Sequence, residues 1–323
     1  MQELSVCMIV KNEATHIMRC LNSVCTFSTE IIVVDTGSSD QTKELIQNIE
    51  NVYVYDFVWQ DNFAMARNYA LQQATKDWIL VIDADEEVVS GQDILDIIQQ
   101  NSVDAYSLCI RNILPISDNL LYEDTYATRL FRNHQTYRYR GAIHEDISES
   151  ILQKNGVIQQ YATMLLHYGY ANDIVQGMES RKERNLRLLK RELQQDPTDY
   201  YYWFQLGKAL QVYNVRTALF CFDQSIRCGF SKMSPMIQVE MYIRQAQIYT
   251  GLHQARDAHS SLDRVLEIDA TNVKAHSLLV VLYMESKEYR QALRSLKILL
   301  HSAQYKNKDE LVQLEKWCRI NLS

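Results

Sequence analysis

The first half of the chain alternates short apolar runs with amphipathic segments. Four runs have the length and the β-branched content of buried strands: residues 4–10, 30–35, 52–56 and 78–82. The segments between them carry apolar residues at helical spacing, as at Ile17, Leu21 and Val24. This alternation predicts right-handed βαβ units and a mainly parallel sheet.

The second half of the chain is predicted to be helical from residue 173 onward. A charged amphipathic segment precedes three helix pairs, near residues 200–228, 236–267 and 273–303, and a last helix near 309–320. Trp203, Leu206 and Gly207, followed by Ala218 and Phe222, resemble the tetratricopeptide pattern W-x2-L-G…A-x3-F. The predicted organisation is an α/β domain over 1–172, a linking helix over 173–196 and an all-α, tetratricopeptide-like helical repeat domain over 197–323.

The composition narrows the possible classes of function. A net charge of −7 disfavours nucleic-acid binding, and no apolar run reaches the ~20 residues that span a bilayer. The seven cysteines form no CxxC pair, so neither a disulfide framework nor a structural zinc site is expected. Because no N-terminal signal is visible either, we expect a cytoplasmic protein without an integral membrane segment.

Polar clusters follow three of the predicted strands. They are Lys11–Asn12–Glu13, the segment from Asp35 to Ser39, and Asp83–Ala84–Asp85. The carboxyl ends of parallel strands meet at one edge of a sheet, where such folds bind ligands, so the clusters are expected to converge. The Asp pair suits a hard divalent cation bound to a diphosphate, although a strand end and a helix cap would also explain it. No GxGxxG or P-loop motif accompanies these clusters.

The same segments together resemble the family 2 glycosyltransferases with a GT-A fold. The resemblance rests on residues 7–13, 30–40, 59–68 and 78–87, in this order. It implies that Asp83 and Asp85 bind Mg²⁺ or Mn²⁺ on the diphosphate of a nucleotide sugar, and that Asp35 and its neighbours hold the base and ribose. The implied nucleotide-sugar contacts are Val10, Lys11, Asn12, Glu13, Asp35, Gly37, Ser38, Asp61, Arg67, Asp83, Ala84 and Asp85.

Several arginines in this half have a plainer interpretation as well. Arg67 is either a surface arginine, alone or paired with Asp61, or a ligand of phosphate or carboxylate, which the resemblance favours. The arginines at 129, 132, 138 and 140 alternate with apolar or aromatic residues, as on a strand with one solvated face.

Residues 144–146, His-Glu-Asp, form a second candidate for chemistry. An inverting sugar transfer needs a base for the acceptor proton, whereas a polar turn with a helix cap is the plainer interpretation. The resemblance implies an acidic base after the acceptor strand, for which we choose Glu145, with His144 as the alternative or as a group that orients the carboxylate. A late histidine contacts the metal in some GT-A enzymes, so His167 is a further metal candidate, against a structural role.

A GT-A domain fused to tetratricopeptide-like repeats is similar to the glycocin (sublancin-type) peptide S-glycosyltransferases. The resemblance implies a metal-dependent, inverting transfer of a hexose from a UDP-sugar, with UDP-glucose as the expected donor, to Cys or Ser of a peptide. The repeats would hold the peptide or form a homodimer, and both remain open. The alternatives are a cell-surface polysaccharide or glycan acceptor, and a non-enzymatic scaffold with a degenerate sugar-nucleotide domain.

Overall fold

The computed structural model describes residues 2–100, 103–116, 119–168, 178–302 and 308–322. It contains two compact units, Met1–Leu188 and Leu189–Ser323. The division falls inside helix α6, Met178–Gln195, which corresponds to the predicted linking helix. Residues 173–177 of that prediction lie outside the described residues.

The first unit is built on one mixed sheet. Its described strands are β1 Leu4–Val10, β2 Glu30–Asp35, β3 Val52–Asp56, β4 Trp78–Val81, β5 Glu86–Val88, β6 Ala105–Ile116, β7 Asn119–Arg132 and β8 Ile158–His167. Its helices before α6 are α1 Ile17–Val24, α2 Thr42–Ile46, α3 Phe63–Gln73, α4 Gly91–Ile98 and α5 Ser148–Leu152. The strand order is β3-β2-β1-β4-β7-β6-β8-β5, with β1 to β4 parallel to one another and β7 antiparallel to both β4 and β6. The predicted α/β fold with its first four strands is confirmed.

The central strands are buried on both faces. Along β1, Val6 and Met8 pack into one apolar cluster, whereas Cys7 between them packs into the cluster on the opposite face. Strands covered by helices on both sides read as continuous apolar runs, and this explains the sequence pattern of β1, β2 and β4. Polar residues therefore begin where these strands end, and the site lies there.

The expected arginine-bearing strand is only partly correct. Strand β7 ends at Arg132, and Arg138 and Arg140 lie outside any strand, where Arg140 forms one isolated bridge with Asp146. The side chain of Asn68 takes the place of a strand partner, because its amide accepts from Tyr139 N at 2.8 Å and donates to Tyr139 O at 2.9 Å. The expected solvated face is wrong for Arg129, whose side chain is 12% exposed and ion-paired.

The second unit consists of consecutive helix pairs. They are α7 Tyr200–Leu210 with α8 Val215–Gly229, α9 Pro235–Gly251 with α10 Ala255–Ile268, and α11 Val273–Glu285 with α12 Tyr289–His301, followed by α13 Lys308–Ile320. A short 3-10 turn, Phe230–Lys232, follows α8. These pairs confirm the predicted repeats.

The repeats pack a small residue against a large one at equivalent positions. Ala218 with Phe222 and Ala292 with Leu296 are fully buried, as the A-x3-F pattern predicts. The middle repeat uses Ala258 in the same way. None of the described helices is long and apolar enough to cross a membrane.

Candidate active site

A cleft of about 1000 Å³ opens at the carboxyl ends of β1 and β4 in the first unit. Twelve of the predicted site residues line it: Val10, Lys11, Asn12, Glu13, Asp61, Arg67, Asp83, Ala84, Asp85, His144, Glu145 and His167. The sheet topology explains this convergence, because β1 and β4 are parallel neighbours and therefore end at the same edge of the sheet.

Asp35, Gly37 and Ser38 do not line the cleft, and the loop after β2 contributes Thr36 to its wall instead. The buried Asp35 carboxylate accepts hydrogen bonds at 2.8 Å from the backbone N–H groups of Gly37 and Ser38. Gly37 has a φ of 105°, a conformation that favours glycine. The Ser38 hydroxyl in turn accepts from Asn12 N at 2.9 Å, so this loop fixes the segment after β1. A direct contact of Asp35 with the base or ribose stays a prediction.

Arg67 connects the two carboxylates that the sequence singled out. Its Nη2 donates to Asp83 Oδ1 at 2.9 Å, and its Nε donates to Glu145 Oε1 at 2.5 Å. Only 9% of the Arg67 side chain is exposed. The surface and Asp61-pair interpretations of Arg67 are therefore wrong, because the Asp61 carboxylate pairs with Arg187 and accepts from the Trp59 indole at 2.9 Å.

Arg129 extends this charged chain on the other side of Asp83. Its Nη2 donates to Asp83 Oδ2 at 2.9 Å and to Glu86 Oε1 at 3.0 Å. Burial favours the neutral acid at Asp83, but the guanidinium groups of Arg67 and Arg129 outweigh it and hold the pKa of Asp83 well below its usual range. Burial raises the pKa of Glu86 to about 7, with Arg129 opposing the shift. Asp83 is thus a fixed anion with both oxygens hydrogen-bonded.

Asp85 and His167, two of the predicted metal ligands, lie side by side in the cleft. Asp85 Oδ2 lies 3.3 Å from His167 Nε2, and His167 Nδ1 is oriented by Asn112 Oδ1 at 2.8 Å. Burial raises the pKa of the nearby Glu13 to about 7, and the charge of Asp85 adds to this shift. Such an acidic corner suits a divalent cation whose other ligands come from a diphosphate and water.

The described residues contain no ready-made group of three His, Cys, Asp or Glu ligands. Two protein ligands are compatible with Mg²⁺ or Mn²⁺ when a diphosphate and water supply the others, so binding of the ion by Asp85 and His167 stays a prediction. Asp83 as a further ligand stays a prediction, since both of its oxygens already accept hydrogen bonds from arginine.

Glu145 is presented by a tight turn. The backbones of Arg140 and Asp146 exchange hydrogen bonds of 2.9 and 3.1 Å, which closes the loop that carries His144 and Glu145. The helix-cap interpretation applies to Asp146, whose Oδ2 accepts from the backbone N–H of Glu149 at 3.2 Å, and not to Glu145. His144 is exposed and has a φ of 53°. Its role as alternative base stays a prediction.

Sequence reasoning missed several residues of the cleft wall. They are Trp59, Phe63, Arg129 and Tyr139, and, from helix α6, Arg181, Arg184, Asn185 and Arg187. The three-residue spacing of Arg181, Arg184 and Arg187 in α6 was the available signal, but the same pattern also suits a solvated helix face.

Two family models match the chain. Residues 5–157 match the glycosyl transferase family 2 model, and residues 250–306 match a tetratricopeptide repeat model. A TPR repeat-containing protein of Synechococcus elongatus is 31% identical, over 82% of this chain and 65% of that protein. The SPbeta prophage-derived glycosyltransferase SunS of Bacillus subtilis is 29% identical, over 63% of this chain and 48% of SunS. The chain thus spans 65% and 48% of the lengths of these two relatives.

Among solved structures, S. aureus TarS is similar with a TM-score of 0.45 at 17% identity. The match covers 90% of this chain and 54% of the TarS chain.

Proposed function

Because the chain carries a family 2 glycosyltransferase domain followed by tetratricopeptide repeats, we propose that it is a metal-dependent, inverting glycosyltransferase. It transfers a hexose from a UDP-sugar, with UDP-glucose as the first donor to test, to a Cys or Ser side chain of a peptide or protein. One observation carries the proposal: a single cleft holds both the Asp85–His167 pair and the Arg67-bound Glu145. The peptide acceptor follows from the resemblance to peptide S-glycosyltransferases.

Glu145 is the proposed base. Its Oε1 is held by Arg67, and its Oε2 makes no hydrogen bond with any described residue, so Oε2 is available to a thiol or hydroxyl. It takes the acceptor proton as sulfur or oxygen attacks the anomeric carbon, and the bond to the UDP oxygen breaks on the opposite face. Arg67 positions this carboxylate relative to Asp83, because one rigid guanidinium contacts both.

The donor is proposed to bind along the β1 and β4 ends of the cleft, where Lys11 and Asn12 lie near the acidic corner. When bound at Asp85 and His167, Mg²⁺ or Mn²⁺ would offset the charge of the diphosphate and so improve UDP as a leaving group. A cytoplasmic location is part of the proposal, because seven cysteines without a CxxC pair are expected to be reduced thiols.

The test is UDP release from UDP-glucose with Mg²⁺ or Mn²⁺ and then with EDTA, alone and with a panel of Cys- and Ser-containing peptides. We expect metal-dependent turnover that a peptide increases and that Asp85→Ala abolishes. Glu145→Gln should lower the rate by about 100-fold or more, as expected for loss of a general base. Glu149→Gln is the matched control, because Glu149 lies four residues away with its side chain 60% exposed.

The outcomes separate the alternatives. Turnover that increases with a glycan and with no peptide would support a glycosyltransferase whose acceptor is a glycan and not a peptide. Full activity of both Asp85→Ala and Glu145→Gln would show that the chemistry lies elsewhere. No binding of any nucleotide sugar would favour the scaffold. Light scattering of the purified protein tests the predicted homodimer separately.

A further inference from the structure

Helix α6 brings three arginines to the cleft, and their charges are compensated differently. Arg187 is ion-paired with Asp61, with Nη2 2.9 Å from Oδ1. Arg184 forms no ion pair with a described carboxylate; its Nε and Nη2 donate to Asn185 Oδ1 at 3.1 and 3.0 Å. The Arg184 guanidinium also lies 5.0 Å from the centre of the Phe63 ring. Asn185 and Phe63 thus hold Arg184 in place without neutralising it.

The surroundings of Arg184 favour an anion. Burial lowers its pKa, and the positive charges of Arg181 and Arg187 lower it further, against weaker attraction from Asp61 and Glu145. Arginine nevertheless stays charged and has five N–H donors, of which Asn185 engages two. A part-buried cation with repelling neighbours and free donors gains most from a carboxylate or phosphate that binds in a forked geometry.

The position of Arg184 indicates which substrate brings the anion. The carboxylates whose charges raise its pKa are Asp61 and the proposed base Glu145. The charge of Arg181, by contrast, lowers the pKa of Glu13, the residue whose pKa Asp85 raises. Beside Arg184, the Trp59 and Phe63 rings pack at 4.8 Å and line the same cleft. This side holds the base and an aromatic wall, whereas the proposed diphosphate corner lies at Asp85.

We propose that Arg184 binds a carboxylate of the acceptor peptide, so that the enzyme selects an Asp or Glu beside the Cys or Ser that receives the sugar. The inference rests on the proposed function, because it specifies the acceptor of that same cleft. A charge-assisted, forked hydrogen bond in a part-buried site changes affinity by about tenfold or more.

The experiment compares short Ser- and Cys-centred peptides that differ only by Asp or Asn at the neighbouring positions. Their binding to the full chain is measured by fluorescence anisotropy in the presence of UDP and Mn²⁺, and the affinity for UDP is measured by calorimetry. We expect the wild type to bind the Asp peptides about tenfold more tightly. Arg184→Gln should abolish the preference and Arg184→Lys should keep part of it. Lys190→Gln, an exposed charge of the same helix, should leave it intact.

Three results would overturn the inference. The first is equal binding of Asp and Asn peptides, or no peptide binding at all, by an enzyme that still releases UDP. The second is a loss of UDP affinity in Arg184→Gln, which would assign this arginine to the donor diphosphate. The third is an Arg184-dependent preference for a polyol-phosphate acceptor over every peptide. Absence of UDP release with every acceptor would instead count against the proposed function, and the peptide preference is measured independently of it.

Discussion

The α/β unit and the helical unit treat charge in opposite ways. In the α/β unit, Arg67, Arg129 and Glu86 have side chains that are 9%, 12% and 2% exposed, and each is paired. In the described part of the helical unit, no Asp, Glu, Lys or Arg is buried, and the buried polar residues are Gln205, Ser225, Gln245, Ser261, His276 and Ser295. Its ion pairs lie at the surface, as between Arg264 and Glu267 with side chains about 60% exposed.

The α/β unit thus contains a buried ionic network, whereas the core of the helical unit is formed by apolar packing. Burying charge is costly, and apolar residues of similar volume often give equal or greater stability, so a buried ionic network is weak evidence for stability. It is retained in the α/β unit where it aligns Asp83 with Glu145 across one guanidinium. The repeats obtain their stability from small-to-large packing, which needs no charge. Substitutions in the two units should therefore act through different physical terms.

The largest effect is expected for Arg67→Met. It removes the cation between Asp83 and Glu145, so that the largely buried Glu145 is left without its ion pair and Asp83 keeps only Arg129. Breaking such a buried pair costs about 3–5 kcal/mol of unfolding free energy. Urea denaturation should show this loss, and hydrogen exchange should localise it to the α/β unit. Arg187→Met is the matched control, because the Arg187 side chain is 57% exposed and its ion pair with Asp61 is screened by solvent, so its loss should change stability little. Equal losses in both variants would contradict a special role for the buried network.

The next effect tests packing in the repeats. In Gly207→Ala the new Cβ would lie 2.5 Å from Cε1 of the fully buried Phe222, which forces the ring to move. Overpacking of this kind costs about 1–3 kcal/mol, here measured by thermal and urea unfolding of the helical unit. Gly251→Ala is the control, because nothing lies within 4 Å of its added Cβ. That variant should be neutral or slightly stabilising, and a similar loss there would mean that helix backbone effects, rather than packing, decide.

A smaller effect is expected at a helix cap. Asn214 begins α8, and its side chain accepts from Thr217 N at 3.1 Å. Asn214→Ala should therefore cost about 1 kcal/mol in urea denaturation. Gln254, at the start of α10, makes no such bond, so Gln254→Ala should change stability by only a few tenths of a kcal/mol. A cost at position 254 equal to that at 214 would rule out the hydrogen bond as the cause.

The same contrast explains what the sequence could predict. Apolar periodicity located β1, β2, β4 and the helix pairs, because each buries an apolar face. The parallel connection then brought Lys11–Glu13 and Asp83–Asp85 to one edge without further information. These inferences need only local pattern and chain direction.

The remaining site residues depend on tertiary contacts that no local pattern contains. An arginine in a strand is expected to face solvent, yet Arg129 is hydrogen-bonded to Asp83, which lies 46 positions earlier in the chain. The arginines of α6 have the spacing of a surface helix, and only the fold places Arg184 against Phe63. The backbone of Tyr139, which was expected in a strand, is hydrogen-bonded to the side-chain amide of Asn68 and not to a neighbouring strand. This contact also depends on the tertiary structure.

The smallest effect concerns surface charge in the helical unit. Glu240 accepts from Lys208 at 2.9 Å and from Arg244 at 2.8 Å. Burial opposes ionisation of Glu240, but the two cations outweigh it and lower its pKa. Because its side chain is 38% exposed and screened by solvent, Glu240→Gln should cost less than about 1 kcal/mol near neutral pH.

The pH dependence of this cost has a definite sign. Since the folded pKa lies below the unfolded one, the stabilisation is present above the unfolded value of about 4.3 and is lost as the pH falls through the folded value. Urea denaturation of wild type and Glu240→Gln should therefore differ near neutral pH and converge in acid. High salt should narrow the neutral-pH difference, because it screens an exposed pair. A difference that persists in acid would mean that Glu240 stabilises the repeats by packing, and the helical unit would then use no charge at all at this position.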